Sequence, residues 1–248
     1  MKKILFLFLL IAQVFFAQNS FDKGNILYKN GKYEQAIVAY EDVLKTEKKH
    51  SSDIYFNLGN CYYKLNKVAQ AIYNYEKALV LKPYDHDVLN NLKFARKKTI
   101  DEVKELPKVG FTKLLRDFTG LYHYNTWGWI SVGFSVLFLA FFIAYYFSKT
   151  EFSKRVFFLS MFFGVFCMLI SLTAAFFEKS HFDLEKPAII FAEITEIREE
   201  PRKVSAVVFV LHEGTKVYVL ETVDKWRKVQ LTDWTEGWLD ASSIKEVK

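Results

Sequence analysis

The sequence predicts a multidomain membrane protein: an all-α helical-repeat domain, a two-helix transmembrane hairpin and a small all-β barrel. Three observations carry this. A motif at 24–44 recurs at 59–79, two uncharged apolar runs lie at 127–147 and 156–177, and residues 186–248 alternate short β-rich runs with turn signals.

Composition narrows the function classes. Of 248 residues, 18% are aromatic, and most of the 25 Phe fall in three apolar blocks. The net charge of +6 is scattered, with no Lys/Arg stripe along one element, which argues against nucleic acid as a partner. The two cysteines, Cys61 in a repeat and Cys167 in an apolar run, form no disulfide framework. They read as small buried apolar residues. No Cys/His cluster has metal-ligand spacing, and no phosphate loop, His-Glu-x-x-His or nucleophile elbow occurs. No catalytic, cofactor or metal residue is assigned, and the protein is not expected to be an enzyme.

The chain opens with "MKKILFLFLLIAQVFFAQNS". Two Lys precede an apolar core too short for a comfortable span, so residues 1–17 read as a secretory signal peptide with cleavage after Ala17. Phe15 is large for the position three before the cut, which keeps an uncleaved anchor open. Either form exports the repeats.

Residues 18–106 are helical and repetitive. Gly24/Gly59, Asn25/Asn60, Tyr28/Tyr63, Lys29/Lys64, Ala36/Ala71, Ile37/Ile72 and Tyr40/Tyr75 coincide at a register of 35 residues. Two amphipathic helices per period make a helical array. Gly59 and Ala71 are small, so paired helices approach closely. Tyr55, Leu58, Tyr62 and Tyr75 fill the space between them, and Pro83 ends the second helix. These residues, with Ala78, resemble the signature of the tetratricopeptide repeat. The first copy matches at Gly24, Gly31, Ala36 and Tyr40 and departs at Val43, where a small residue is expected. A further helix at 87–98 reads as the polar cap that a solenoid needs.

The resemblance implies a concave groove lined by the first helix of each repeat. On that face lie Phe21, Asn25, Tyr28 and Lys29, then Phe56, Asn60, Tyr63 and Lys64, then Asn90, Phe94, Lys97 and Lys98, with Asn57 nearby. The aromatics offer apolar area, Asn pairs with a peptide backbone and Lys attracts carboxylates. The expected ligand is an extended acidic segment or a free C-terminus of a protein partner.

Residues 107–126 read as a linker or interfacial helix, with Phe111, Leu114, Leu115 and Phe118 at helical spacing. The run 127–147 would measure about 31 Å as a helix, enough to cross a bilayer. Trp127 and Trp129 at one end and Tyr145 and Tyr146 at the other are typical interface anchors. The run 156–177 is similar. Small residues four apart (Ser131/Ser135, Ser160/Gly164, Ser171/Ala175) suggest close helix packing. Neither run holds a charged residue, which argues against an ion or proton pathway. The connection 148–155 carries Lys149, Lys154 and Arg155 against Glu151, which favours a cytoplasmic loop. The expected location is the inner membrane, crossed twice, with both globular parts in the periplasm.

In the C-terminal segment, 206–211, 216–221, 226–231 and 236–239 read as strands. "IREEP", "HEGTKVYVL", "WRKV" and "GWLD" resemble the bacterial SH3 domain (SH3b), with "EIREEP" departing from the usual Asn-containing motif. That resemblance makes peptidoglycan a possible ligand, and Trp234 the best candidate for a ligand patch. The order of leader, tetratricopeptide repeats, two spans and SH3-like domain is similar to the BatE family of the Bacteroides aerotolerance operon. This similarity implies a non-enzymatic scaffold in an aerotolerance or envelope-stress complex, with von Willebrand A-domain Bat proteins as partners. An envelope sensor that reads peptidoglycan is the alternative.

Overall fold

The computed structural model describes residues 20–46, 48, 50–102 and 110–248. The expected leader, and Pro107 at the start of the linker, lie outside the described residues. The chain divides into two units, 1–106 with 186–248, and 107–185.

In the first unit, five helices succeed one another: α1 (20–29), α2 (Tyr33–Thr46), α3 (Ser52–Lys64), α4 (Val68–Leu81) and α5 (His86–Arg96). The turns inside the two repeats are equivalent. Gly31 (φ 73°) and Asn66 (φ 56°), 35 positions apart, both occupy the left-handed region. Lys32 N donates to Leu27 O and Lys67 N to Tyr62 O, closing each helix in the same way. Ser51 caps α3 by accepting from Ile54 N, and Asp85 caps α5 by accepting from Asp87 N and Val88 N. Ala36, Ala71, Ala78 and Ala95 are fully buried, so side chains with no bulk stand where the helices meet. Tyr40 and Tyr75 fill the spaces between the paired helices. Cβ atoms added at Gly24 and Gly59 would lie 2.5 Å from their rings.

The C-terminal segment forms seven strands: β1 (Pro187–Ile190), β2 (Ile194–Arg198), β3 (Val207–His212), β4 (Lys216–Val223), β5 (Trp226–Gln230), β6 (Glu236–Asp240) and β7 (Ile244–Glu246). They pair antiparallel in the order β3-β2-β6-β5-β4-β1-β7. Leu211 of β3 and Ile244 of β7, at opposite ends of this order, belong to one buried cluster with Ile197, Val217, Val229 and Leu239. The sheet therefore curls around a single core. The four expected strands are β3 to β6. Strands β1, β2 and β7 are additions.

The repeats and the sheet share a core. All four residues of β1 are buried. Ala188 and Ile190 face the sheet's interior, while Ile189, with Val247, joins the core of the repeats. The Phe191 ring meets Tyr73 of α4 edge-on at 5.5 Å. Polar locks surround this contact. Asp101 Oδ2 accepts from His212 N (2.7 Å) and Thr215 Oγ1 (2.6 Å), and Oδ1 lies 2.8 Å from His212 Nδ1. Glu76, buried on α4, accepts from Arg96 at 2.6 Å and from Lys216 at 2.8 Å. Between these locks Gly214 (φ 86°) lets the turn lie against α4. A Cβ there would be 2.9 Å from Thr99 Cγ2 and 3.2 Å from Ile72 Cδ1.

The second unit holds α6 (Phe111–Thr119), α7 (Tyr124–Phe147) and α8 (Glu151–Leu184). Helices α7 and α8 are long and apolar enough to cross a membrane, and the most apolar window of α7 has none of its residues buried by protein. Side chains such as Trp129, Leu139, Phe142, Phe162 and Phe166 face outward. Exposed apolar surface on this scale marks a face that a membrane or another protein covers. Residues 151–155, expected in the loop, are helical. Thr150 Oγ1 accepts from Ser153 N as the N-cap of α8, so the non-helical connection is Ser148–Thr150. Trp127 is anchored by donating Nε1–H to Thr119 O at 2.7 Å.

Candidate binding groove

Helices α1, α3 and α5 present the face that the sequence singles out, and a ladder of asparagines organises it. Tyr40 OH donates to Asn25 Oδ1 at 2.8 Å, and Asn57 Nδ2 donates to the same oxygen at 3.1 Å. One repeat later, Tyr75 OH donates to Asn60 Oδ1 at 2.8 Å and Asn91 Nδ2 joins it at 2.8 Å. Each oxygen thus ties a tyrosine from the second helix of its own repeat to an asparagine of the next helix across. Burial raises the phenols of Tyr40 and Tyr75 well above the ordinary range, so both remain hydroxyl donors.

A pocket of about 220 Å³ opens on this face, lined by Tyr28, Asn60, Tyr63, Lys64, Tyr75, Asn91 and Phe94. Five of the expected groove residues meet here. Phe94 is 56% exposed and supplies an apolar wall. Lys98 reaches across from beyond α5, its Nζ 4.2 Å from the Tyr63 ring centre and 3.0 Å from Asn66 Oδ1. Lys97 sits over Phe94 at 5.6 Å. Lys29, Lys64 and Asn90 are exposed.

Other expected residues have structural work as well. Phe21 and Phe56 pack on the rings of Tyr40 and Tyr75 at 5.7 and 6.1 Å. Phe21, Tyr28, Phe56 and Tyr63 are partly buried against the repeat core, so the groove face and the packing face overlap. The oxygens of Asn25 and Asn60 are committed to the ladder. What Asn60 retains for a ligand is its amide N–H groups, held in a fixed direction. Asn91 is not among the expected residues. The cap helix breaks the 35-residue register, and Asn91, rather than Asn90, reaches Asn60 and the pocket. Tyr75, a packing residue by its spacing, also lines the pocket.

Trp234 lies in the sheet domain, 55% exposed and at φ 70°, in the turn closed by its N–H to Leu231 O. Trp226 is buried. Cys61 is fully buried among the repeats, where burial pushes its thiol up to about 12, and it acts as a packing residue. Among the described residues no group of His, Cys, Asp and Glu could hold a metal ion.

The tetratricopeptide repeat family profile matches residues 9–86, through α4. No curated protein matches the chain. The protein therefore contains tetratricopeptide repeats, a fold whose general work is holding other proteins. Two potential membrane helices and a seven-stranded domain accompany them.

Proposed function

We propose that the protein is a non-enzymatic membrane scaffold whose repeats hold an extended segment of a protein partner by its acidic side chains or C-terminus. The pocket at Asn60 carries this reading. Aromatic walls from Tyr28, Tyr63 and Phe94 meet Lys64 and the fixed amide of Asn60 in one place. Preorganised walls lower the entropy cost of holding a flexible chain. The groove set is Phe21, Asn25, Tyr28, Lys29, Phe56, Asn57, Asn60, Tyr63, Lys64, Asn90, Phe94, Lys97 and Lys98. The test is binding of acidic-tailed partners to the Tyr63→Ala/Lys64→Glu variant. Affinity should fall at least about ten-fold, and unchanged affinity removes the reading.

The setting proposed is the periplasmic face of an inner membrane crossed twice, with residues 1–17 as the export signal. Resemblance to the BatE family supports partnership with von Willebrand A-domain Bat proteins in an aerotolerance or envelope-stress complex. Crosslinking in the native membrane and identification of the captured chains tests that partnership. A second reading rests on the exposed Trp234: an SH3-like domain that binds peptidoglycan and makes the protein an envelope sensor. It predicts that the protein co-sediments with peptidoglycan and that Trp234→Ala abolishes this.

A further inference from the structure

Helix α6 has three faces, and each meets a different surrounding. At about 100° per residue, Leu114 and Phe118 share one face, Arg116 and Thr119 a second, and Lys113 and Asp117 a third. The second face packs on the hairpin. Thr119 is buried, and its carbonyl accepts the Trp127 indole N–H at 2.7 Å. Arg116 pairs with Glu185 at 3.6 Å, at the C-cap of α8, and Glu185 lies 3.2 Å from His181 Nδ1. These contacts tie α6 to the first turn of α7 and to the last of α8, which fixes its rotation about its own axis. The third face is charged and exposed. The first is apolar and exposed: Leu114 is 67% accessible, Phe118 stands beside it, and Leu121 extends the stripe into the following turn. It is continuous with the apolar surface of α7. The Phe118 and Tyr122 rings lie 5.3 and 5.5 Å from that of Trp127, and Trp129, 74% exposed, stands next along the helix.

We infer that α6 lies in the headgroup–acyl boundary of a bilayer, with Leu114, Phe118 and Leu121 among the acyl chains and Lys113 and Asp117 toward water. The inference rests on the reading of α7 and α8 as membrane spans. A helix with one apolar and one charged side suits that boundary, and clustered Trp and Tyr mark the depth where hydrocarbon gives way to headgroups. Three side chains on their own fall well short of the roughly 800 Å² per partner that a stable protein interface buries. Lipid sets no such minimum. Clamped at Thr119 and Arg116, α6 is a float that sets how deep the hairpin sits and resists its sliding along the membrane normal.

The test places a nitroxide on the full chain in nanodiscs of phosphatidylethanolamine and phosphatidylglycerol. Labels enter by Leu114→Cys, Phe118→Cys, Lys113→Cys, Asp117→Cys or Val136→Cys. Cys167→Ala removes one native thiol, and Cys61 stays in its buried place. Relative access of oxygen and of a water-soluble nickel chelate gives the depth of each label. Val136, exposed near the middle of α7, should report the bilayer interior. Labels at 114 and 118 should sit about 5–10 Å below the phosphates, and those at 113 and 117 at or above them. A label at 136 open to the chelate overturns the membrane reading itself. With 136 immersed, labels at 114 and 118 as open to the chelate as those at 113 and 117 overturn the placement of α6 alone. Spin–spin broadening at 114 without oxygen access gives the face to a second copy and overturns the placement as well.

Discussion

At the scale of single residues, the repeat is held by a close approach and a hydrogen-bond ladder that depend on each other. Gly59 lets the Tyr75 ring lie close on α3, which places the Tyr75 hydroxyl at Asn60 Oδ1. Gly59→Ala puts a methyl 2.5 Å from Tyr75 Cε1, and the ring must withdraw, taking the hydroxyl with it. The expected cost is about 1–3 kcal/mol, read as a lower denaturation midpoint. Tyr75→Phe leaves Asn60 Oδ1 still paired with Asn91, so its cost should stay near 1 kcal/mol. The 35-residue coincidence of Gly, Asn and Tyr makes the existence of this cluster legible in the sequence. Which partner each asparagine takes is not, because a polar residue on a helix face serves a ligand or a neighbour equally well. Distance alone decides between them, and here the oxygens of Asn25 and Asn60 go to the neighbour.

At the scale of elements, the small residues of the hairpin divide: Gly164 and Ser171 of α8 are buried as their spacing suggests, while others stand in open space. Ser135 is exposed, and a Cβ on Gly128, Gly133 or Gly164 would meet nothing within 4 Å. The buried positions of α8 include Met161, Gly164, Ser171 and Ala174, and Ser131 Oγ reaches Met168 O at 3.5 Å. Spaced three, seven and three apart, these positions lie on one face of α8. Gly164→Ala should accordingly be neutral or stabilising by up to about 1 kcal/mol, the opposite sign to Gly59→Ala. Thermal unfolding of the two variants side by side in one detergent checks the contrast. The strands are legible where alternation and turn residues coincide, as in β3 to β6. β1 escapes because it is buried on both faces, and a short apolar run without alternation has no strand signature.

At the scale of the molecule, the docking of sheet on repeats is the feature least visible in the sequence. Asp101 and His212 lie 111 positions apart, and a single buried carboxylate such as Glu76 reads locally as a helix surface residue. For Glu76, burial pushes the carboxyl up, but the Lys216 ammonium, the Arg96 guanidinium and their hydrogen bonds more than offset it and hold it below its ordinary 4.5. Asp101 behaves alike. Desolvation raises it, and the donors His212 N–H, Thr215 and the His212 ring bring it below its ordinary 3.8. Carboxyls with depressed folded values stabilise the docked state fully above their ordinary values and lose that contribution as pH falls through the folded ones. Lys216 is raised: burial lowers it, but Glu76 wins, so its share is lost only in strong base. Docking should therefore be constant between about pH 5 and 9 and loosen below about pH 4. Amide exchange in β1 and α4 should rise there before exchange in β5. Glu76→Gln should cost about 2–3 kcal/mol at neutral pH, at the lower end because Arg96, 43% exposed, recovers water.

The same docking constrains topology without reference to any signal. Asp101, just before the chain enters the helical hairpin, is bonded to His212 and Thr215. Lys186, just after it, pairs through its carbonyl with Val219 N. Both ends of the hairpin thus belong to one folded body, and a body with a shared core cannot be divided by a bilayer. If α7 and α8 both cross, Ser148–Thr150 stands alone on the far side. Two reporters then have to agree. Alkaline phosphatase inserted after residue 105 and fused after residue 248 should both be active if the body is periplasmic, and a cysteine at Lys149 should react only with reagent from the cytoplasm. Two silent fusions reverse the orientation and leave the fold intact. One active and one silent fusion would break the shared core of repeats and sheet.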